Sequence, residues 1–194
     1  VLVAIGRRPN VEELNLEAAG VALTPRGFIQ VDEYLRAAPH IWAMGDVAGS
    51  PQFTYVSLDD YRIVRDQLFG EGKRTTRARS LLPTSVFTTP ALAQIGMTET
   101  QAAASGRPYE VKRLQTVAIP KAKVLGETHG LLKAIVDKET GLILGATLFC
   151  PEAHELINLL KLAMDHQIPA SALHTQIFTH PTIAEALNDL FAPN

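Results

Sequence analysis

Apolar positions along the chain recur first with the period of strands, then of a helix, and the pattern repeats after a polar break. Val1-Leu2-Val3-Ala4-Ile5 is a continuous apolar run closed by Gly6, as in a strand buried on both faces of an α/β sheet. Gly6-Arg7-Arg8-Pro9-Asn10 then predicts a loop, because glycine permits unusual dihedrals while proline fixes its own and restricts the residue before it. Gly27 to Asp32 alternates in polarity like a hairpin strand, and Ile41 to Met44 reads as a second buried strand ending at Gly45-Asp46. Between Tyr55 and Leu68 the apolar residues Val56, Leu58, Ile63, Val64 and Leu68 fall at largely helical intervals, with Gly70 as a stop.

Gly70 to Arg79 is polar, basic and glycine-containing, so it predicts a surface linker. Residues 1–72 therefore form one segment, 73–81 the linker and 82–194 a second domain. That domain reads as α+β. Ser85 to Thr89, Leu92 to Gly96, Tyr109 to Val117, Gly130 to Val136 and Leu142 to Cys150 are strand-like, and the turn residues Asp137 to Gly141 join the last two as a hairpin. Thr98-x-x-Gln101 has capping-box spacing for a short helix that Gly106 ends. Pro151 opens a longer helix whose Ala153, Leu156, Ile157, Leu160, Ala163 and Met164 form one apolar face, and a last helix is expected from about Thr182 to Phe191.

Composition narrows the classes. The chain has 194 residues, 46% hydrophobic and 20% charged, as expected of a compact soluble protein of one or two domains. A formal charge of −2 with interspersed signs gives no basic stripe for nucleic acid or an anionic membrane. No apolar stretch approaches the roughly 20 residues needed to span a bilayer. The lone Cys150 precludes an intrachain disulfide framework and fits a reducing, cytoplasmic setting. Because the chain opens at Val1 inside a strand-like run, we expect it to be truncated.

One constellation carries chemistry on its own: Thr179-His180-Pro181-Thr182-Ile183-Ala184-Glu185. Glu185 follows His180 by about one helical turn, so its carboxylate can reach an imidazole nitrogen and fix the tautomer, as in a general acid/base near neutral pH. Thr182-x-x-Glu185 equally has the spacing of a capping box, which requires no catalysis. Asp46, between a strand end and a helix, sits where α/β folds bind ligands, although a loop aspartate in a turn reads the same way. Gly6 either allows close approach of a cofactor or shapes a turn. Cys150 closes an apolar strand, where a thiol behaves as a buried hydrophobe. His40, His129, His154, His166 and His174 lack metal-ligand spacing, so no metal is expected.

Val1 to Asn10, then Ile41-Trp42-Ala43-Met44-Gly45-Asp46-Val47, then His180-Pro181-Thr182-x-x-Glu185 are each weak signals, but in this order they resemble the C-terminal half of the pyridine nucleotide–disulfide oxidoreductases. That family contains glutathione reductase, dihydrolipoamide dehydrogenase and mercuric reductase. The resemblance implies an α+β dimerisation domain, an antiparallel sheet with helices, preceded by a remnant of an α/β FAD/NAD(P)-binding domain. It implies FAD and NAD(P)H as cofactors, a small-molecule or disulfide acceptor, and a homodimer formed through residues 82–194. By the same resemblance, Asp46 accepts hydrogen bonds from the ribityl hydroxyls of FAD, the Thr54 N–H lies against the pyrimidine edge of the flavin, and Gly6 contacts the nicotinamide cofactor. His180, oriented by Glu185, is the acid/base toward the thiols and reaches into the partner's flavin site.

The chain departs from the family's pattern in having neither Cys-x4-Cys nor a Gly-rich FAD fingerprint, so by itself it is expected to be inactive. Phe53-Thr54-Tyr55-Val56-Ser57-Leu58-Asp59-Asp60-Tyr61-Arg62 departs from the Leu-Thr-Pro-Val-Ala-like run common in the family and is similar to bacterial flavoproteins of the reactive-chlorine-resistance branch. Two other readings stand beside this one. The first is a non-catalytic dimerisation or interaction module, in which His180 and Glu185 merely start a helix. The second is a small hydrolase using Cys150 and His180, which requires those side chains to meet.

Overall fold

The computed structural model describes residues 1–79 and 81–193, and the chain divides after Arg79 into two compact units. In the first unit, β1 (Arg36–Ala38) and β2 (Ile41–Trp42) form a two-stranded antiparallel ribbon. A 3-10 turn over Gly45–Ala48 and helix α1 (Thr54–Phe69) follow, and Gly70 ends the helix with its N–H on Asp66 O. Val56 and Ile63 are the fully buried apolar residues of α1.

The expected strand at Val1–Ile5 is not formed. Residues 1–10 have no regular structure, and Val1, Leu2, Val3 and Ile5 are exposed. A two-sided apolar run becomes a strand only when other strands supply its ladder bonds, and the first unit's one sheet is the β1–β2 ribbon. Gly27 to Asp32 likewise contributes only an isolated bridge between Leu23 and Ile29, closed by a tight turn in which Gly27 N donates to Thr24 O. The strand read over Ile41 to Met44 shortens to two residues.

Residues 70–79 are tied onto α1 instead of running free. Arg74 N donates to Asp66 Oδ2 at 2.8 Å, and Arg79 Nε meets Asp59 Oδ2 at 2.7 Å. Arg79 also pairs with Asp60, which is fully buried. A polar, basic composition reads as solvated, but here Arg74 and Arg79 answer two adjacent aspartates on the helix, Asp59 and Asp60.

The second unit is α+β. Strands β3 (Thr84–Val86), β4 (Ala91–Gly96), β5 (Tyr109–Gln115), β6 (Leu131–Asp137) and β7 (Ile143–Cys150) form one antiparallel sheet in the order β3-β4-β7-β6-β5. The β6–β7 hairpin sits at its centre, which is why Leu132, Ala134, Ala146 and Leu148 are almost wholly buried. Helix α2 (Glu99–Ala104) starts with the predicted capping box between Thr98 and Gln101. Helix α4 (Ala153–Asp165) begins two residues beyond Pro151, behind Glu152 in a left-handed conformation, and buries Ala153, Leu156, Ile157, Leu160 and Ala163 against the sheet.

Two short helices escaped the periodicity analysis: α3 (Pro120–Leu125) and α5 (Ala170–Thr175). At six residues each they are too short to show a period, although proline at the start of α3 and left-handed Gly126 at its end are legible boundary signals. Helix α6 (Ala186–Leu190) is half as long as expected, because residues 182–185 form a hydrogen-bonded turn before it. Leu187 and Leu190 anchor α6 in the same core.

Candidate functional site

His180 stands in the connection between α5 and α6, and its Nδ1 lies 2.7 Å from Glu185 Oε2. A carboxylate only accepts, so Nδ1 carries the proton. Nε2 is then a lone pair in neutral imidazole and a donor in imidazolium. Among the described residues Nε2 has no partner, and the His180 side chain is 67% exposed against 18% for Glu185. The imidazole is presented to solvent while the carboxylate that holds it is set back.

The capping-box geometry is present as well. Glu185 Oε1 accepts from Thr182 N at 2.9 Å, Thr182 Oγ1 accepts from Glu185 N at 3.2 Å, and that hydroxyl donates to Thr179 O at 2.7 Å. The structural and chemical readings of Thr182-x-x-Glu185 are therefore compatible, since each carboxylate oxygen serves one of them. The hydrogen bond from His180 holds the Glu185 carboxyl below its ordinary value, and the Thr182 N–H adds to this.

Sequence reasoning missed the clamp at the base of this connection. Asn188 Nδ2 lies 2.9 Å from each of the carbonyl oxygens of Leu173, His174 and Gln176, and His174 Nδ1 lies 2.8 Å from Asn188 O. These bonds join the two ends of the segment that carries His180. No local pattern signals them, because the partners are 12 to 15 residues apart.

In the first unit, Asp46 lies in the Gly45–Ala48 turn with its side chain 44% exposed, and Arg7 Nη1 approaches Oδ2 at 3.2 Å. That contact brings the segment holding Gly6 beside Asp46. Gly6 is exposed with φ +126, a conformation that side chains rarely adopt, and nothing lies within 4 Å of where a Cβ would stand. Thr54 is the first residue of α1, where backbone N–H groups have no partner within the helix. Phe53 and Tyr55 stack beside it at 5.1 Å between centroids.

Asp60 is the residue that sequence analysis overlooked here. It is fully buried on α1, and its Oδ2 accepts the Gly45 N–H at 2.7 Å. Its other oxygen meets Arg79. A buried acid of this kind leaves no trace in the pattern, since polarity predicts exposure.

Cys150 is fully buried in the sheet core. Burial, with the Glu152 charge nearby, pushes its thiol up to about 12. A buried, protonated thiol of this kind is no nucleophile, which removes the hydrolase reading.

With the geometry in place, the comparisons define the class. Residues 82–191 match the pyridine nucleotide-disulphide oxidoreductase dimerisation domain, and residues 1–60 match the pyridine nucleotide-disulphide oxidoreductase family. The chain belongs to the pyridine nucleotide-disulphide oxidoreductases. It is 54% identical over 193 residues to the probable pyridine nucleotide-disulfide oxidoreductase RclA of Escherichia coli, covering 99% of this chain and 44% of that protein. It is 38% identical to a dihydrolipoyl dehydrogenase of Mycobacterium bovis, covering 98% of this chain and 41% of the relative. Among solved structures it is similar to the HOCl-induced flavoprotein disulfide reductase RclA from Escherichia coli, with a TM-score of 0.96 over 98% of this chain and 44% of that one. The chain thus spans less than half the length of these relatives. Among the described residues, no helix is long and apolar enough to cross a membrane.

Proposed function

We propose that this chain is the C-terminal part of an FAD-dependent NAD(P)H oxidoreductase acting on a disulfide or related small-molecule acceptor, and that it supplies the homodimer interface and the acid/base dyad. The observation that carries the reading is the 2.7 Å contact between His180 Nδ1 and Glu185 Oε2, which leaves Nε2 directed at no protein group among the described residues. FAD, when bound, supplies the two-electron step between the nicotinamide and the thiols. His180 Nε2 takes up or returns the thiol proton, and Glu185 holds the tautomer and balances the imidazolium charge.

The first unit has a donor and acceptor set that fits such a cofactor. Asp46 offers a half-exposed carboxylate to the ribityl hydroxyls. The first-turn N–H of Thr54 offers a donor and the positive end of the α1 dipole to the pyrimidine edge, where negative charge collects on reduction. Gly6 offers backbone free of a side chain to the nicotinamide cofactor. The dimerisation-domain match supports a homodimer through the second unit, and the single buried thiol supports a cytoplasmic setting.

The test is to express the full reading frame that carries this chain and record its visible absorption. A flavin spectrum bleached by NAD(P)H is expected. A colourless dimer would overturn the reading and leave His180 a structural residue.

A further inference from the structure

Asp60 is the only fully buried carboxylate among the described residues, and both of its oxygens are committed. One accepts the N–H of Gly45, which is the first N–H of the 3-10 turn and has no cap of its own. Gly45 cannot readily be held by side-chain packing. Its φ is +73, and a Cβ there would come within 3.0 Å of Ser57 Oγ on α1. The amide is therefore fixed from outside, by an acid that belongs to α1. The residue that follows Gly45 is Asp46.

Thr54 opens the same helix six residues earlier, so about 9 Å of rigid α1 separates it from Asp60. Two groups on separate elements, the Asp46 carboxylate and the Thr54 amide, are thereby referenced to one helix: Thr54 directly, and Asp46 through the bond from Gly45 to Asp60. Arg79 has a distinct role. Its guanidinium pairs with Asp59 and Asp60 and compensates the buried charge, while leaving the Gly45 contact to the other oxygen.

We propose that Asp60 is a positioning residue for flavin, one that sets the place of Asp46 relative to Thr54 through the Gly45 amide. The inference rests on the reading of Asp46 and Thr54 as flavin contacts.

Two substitutions separate the tasks of Asp60 in the full reading-frame protein. Asp60→Asn keeps an acceptor for Gly45 and removes the charge that Arg79 meets. Asp60→Glu keeps the charge and displaces the acceptor by a methylene. FAD is titrated into each apoprotein, with the flavin's visible circular dichroism and the melting temperature recorded alongside. Asp60→Glu is expected to weaken FAD binding about ten- to a hundredfold, as for loss of a hydrogen bond to a charged group, and to alter the dichroism. Asp60→Asn is expected to bind FAD nearly normally despite the lower melting temperature.

FAD affinity that simply follows melting temperature in both variants, or wild-type affinity in Asp60→Glu, would overturn the proposal. If Asp60→Glu does not fold, Asp60→Ser, which lacks the charge as Asp60→Asn does but has a shorter side chain, is compared with Asp60→Asn: weaker FAD binding than in Asp60→Asn is expected, and equal binding would overturn the proposal. Asp46→Ala, which removes both acceptor oxygens, is the separate control. Unchanged FAD affinity there would mean that the reading of Asp46 itself fails, whatever Asp60 does.

Discussion

Glu185 places one carboxylate oxygen 2.7 Å from His180 Nδ1 and the other 2.9 Å from the Thr182 amide, so a single side chain both orients the imidazole and closes the turn beneath it. Altering Glu185 removes both contacts, whereas altering His180 removes the imidazole contact and leaves the Thr182 bond to the other oxygen.

His180→Gln is expected to slow the acceptor half-reaction of the full protein by about 10²- to 10⁴-fold, the usual range for a lost general acid/base. Reduction of the flavin by NAD(P)H should be unaffected. Stopped-flow absorbance resolves the two halves, and equal slowing of both would refute the role. Acid should disturb the dyad from the Glu185 side. Because its folded value is lowered by the His180 bond, the clamp is fully present above the ordinary glutamate value of 4.5 and is lost as pH falls through the lower folded value. The carboxyl-carbon NMR titration of Glu185 reports this directly.

Cys150 should resist iodoacetamide in the native protein at pH 8 and react on denaturation, since its thiol is buried and raised to about 12. Linkage gives the sign for stability. A raised folded value means full stability below the ordinary cysteine value of 9.0 and a declining contribution as pH climbs toward 12. Cys150→Ala should flatten this alkaline decline in denaturant melts. An alkaline limb identical to wild type would contradict the burial argument.

Helix α4 leaves Leu159 exposed at the flank of its buried face and Leu162 exposed on the side opposite it. If the second unit forms the homodimer, Leu162→Asp is expected to weaken association at least tenfold with little change in the melting of the domain, because an exposed position contributes little to the core. Light scattering at tens of micromolar, against the wild-type protein, measures it. An unaltered dimer would place the interface elsewhere on the unit.

The His180–Glu185 pair was legible in the sequence because it is local: five residues and one proline bring both side chains to the same turn. The strands of the second unit and the face of α4 were legible for a related reason, since their apolar periods match the sheet and helix that bury them. Helices α3 and α5 escaped because six residues are too few to display a period.

Other features needed the fold. The apolar run Val1 to Ile5 states a preference for burial between neighbouring strands but cannot supply those strands, so it stays irregular and exposed. Asp60 lies 15 residues from Gly45 and 19 from Arg79, and Asn188 lies 12 to 15 residues from the carbonyls it bonds. Sequence determined which positions prefer water and which prefer the core, and hence the elements and the local dyad. Which polar groups are buried together was decided only by tertiary structure, because a buried carboxylate is stabilised by partners that only the folded backbone brings within hydrogen-bond reach.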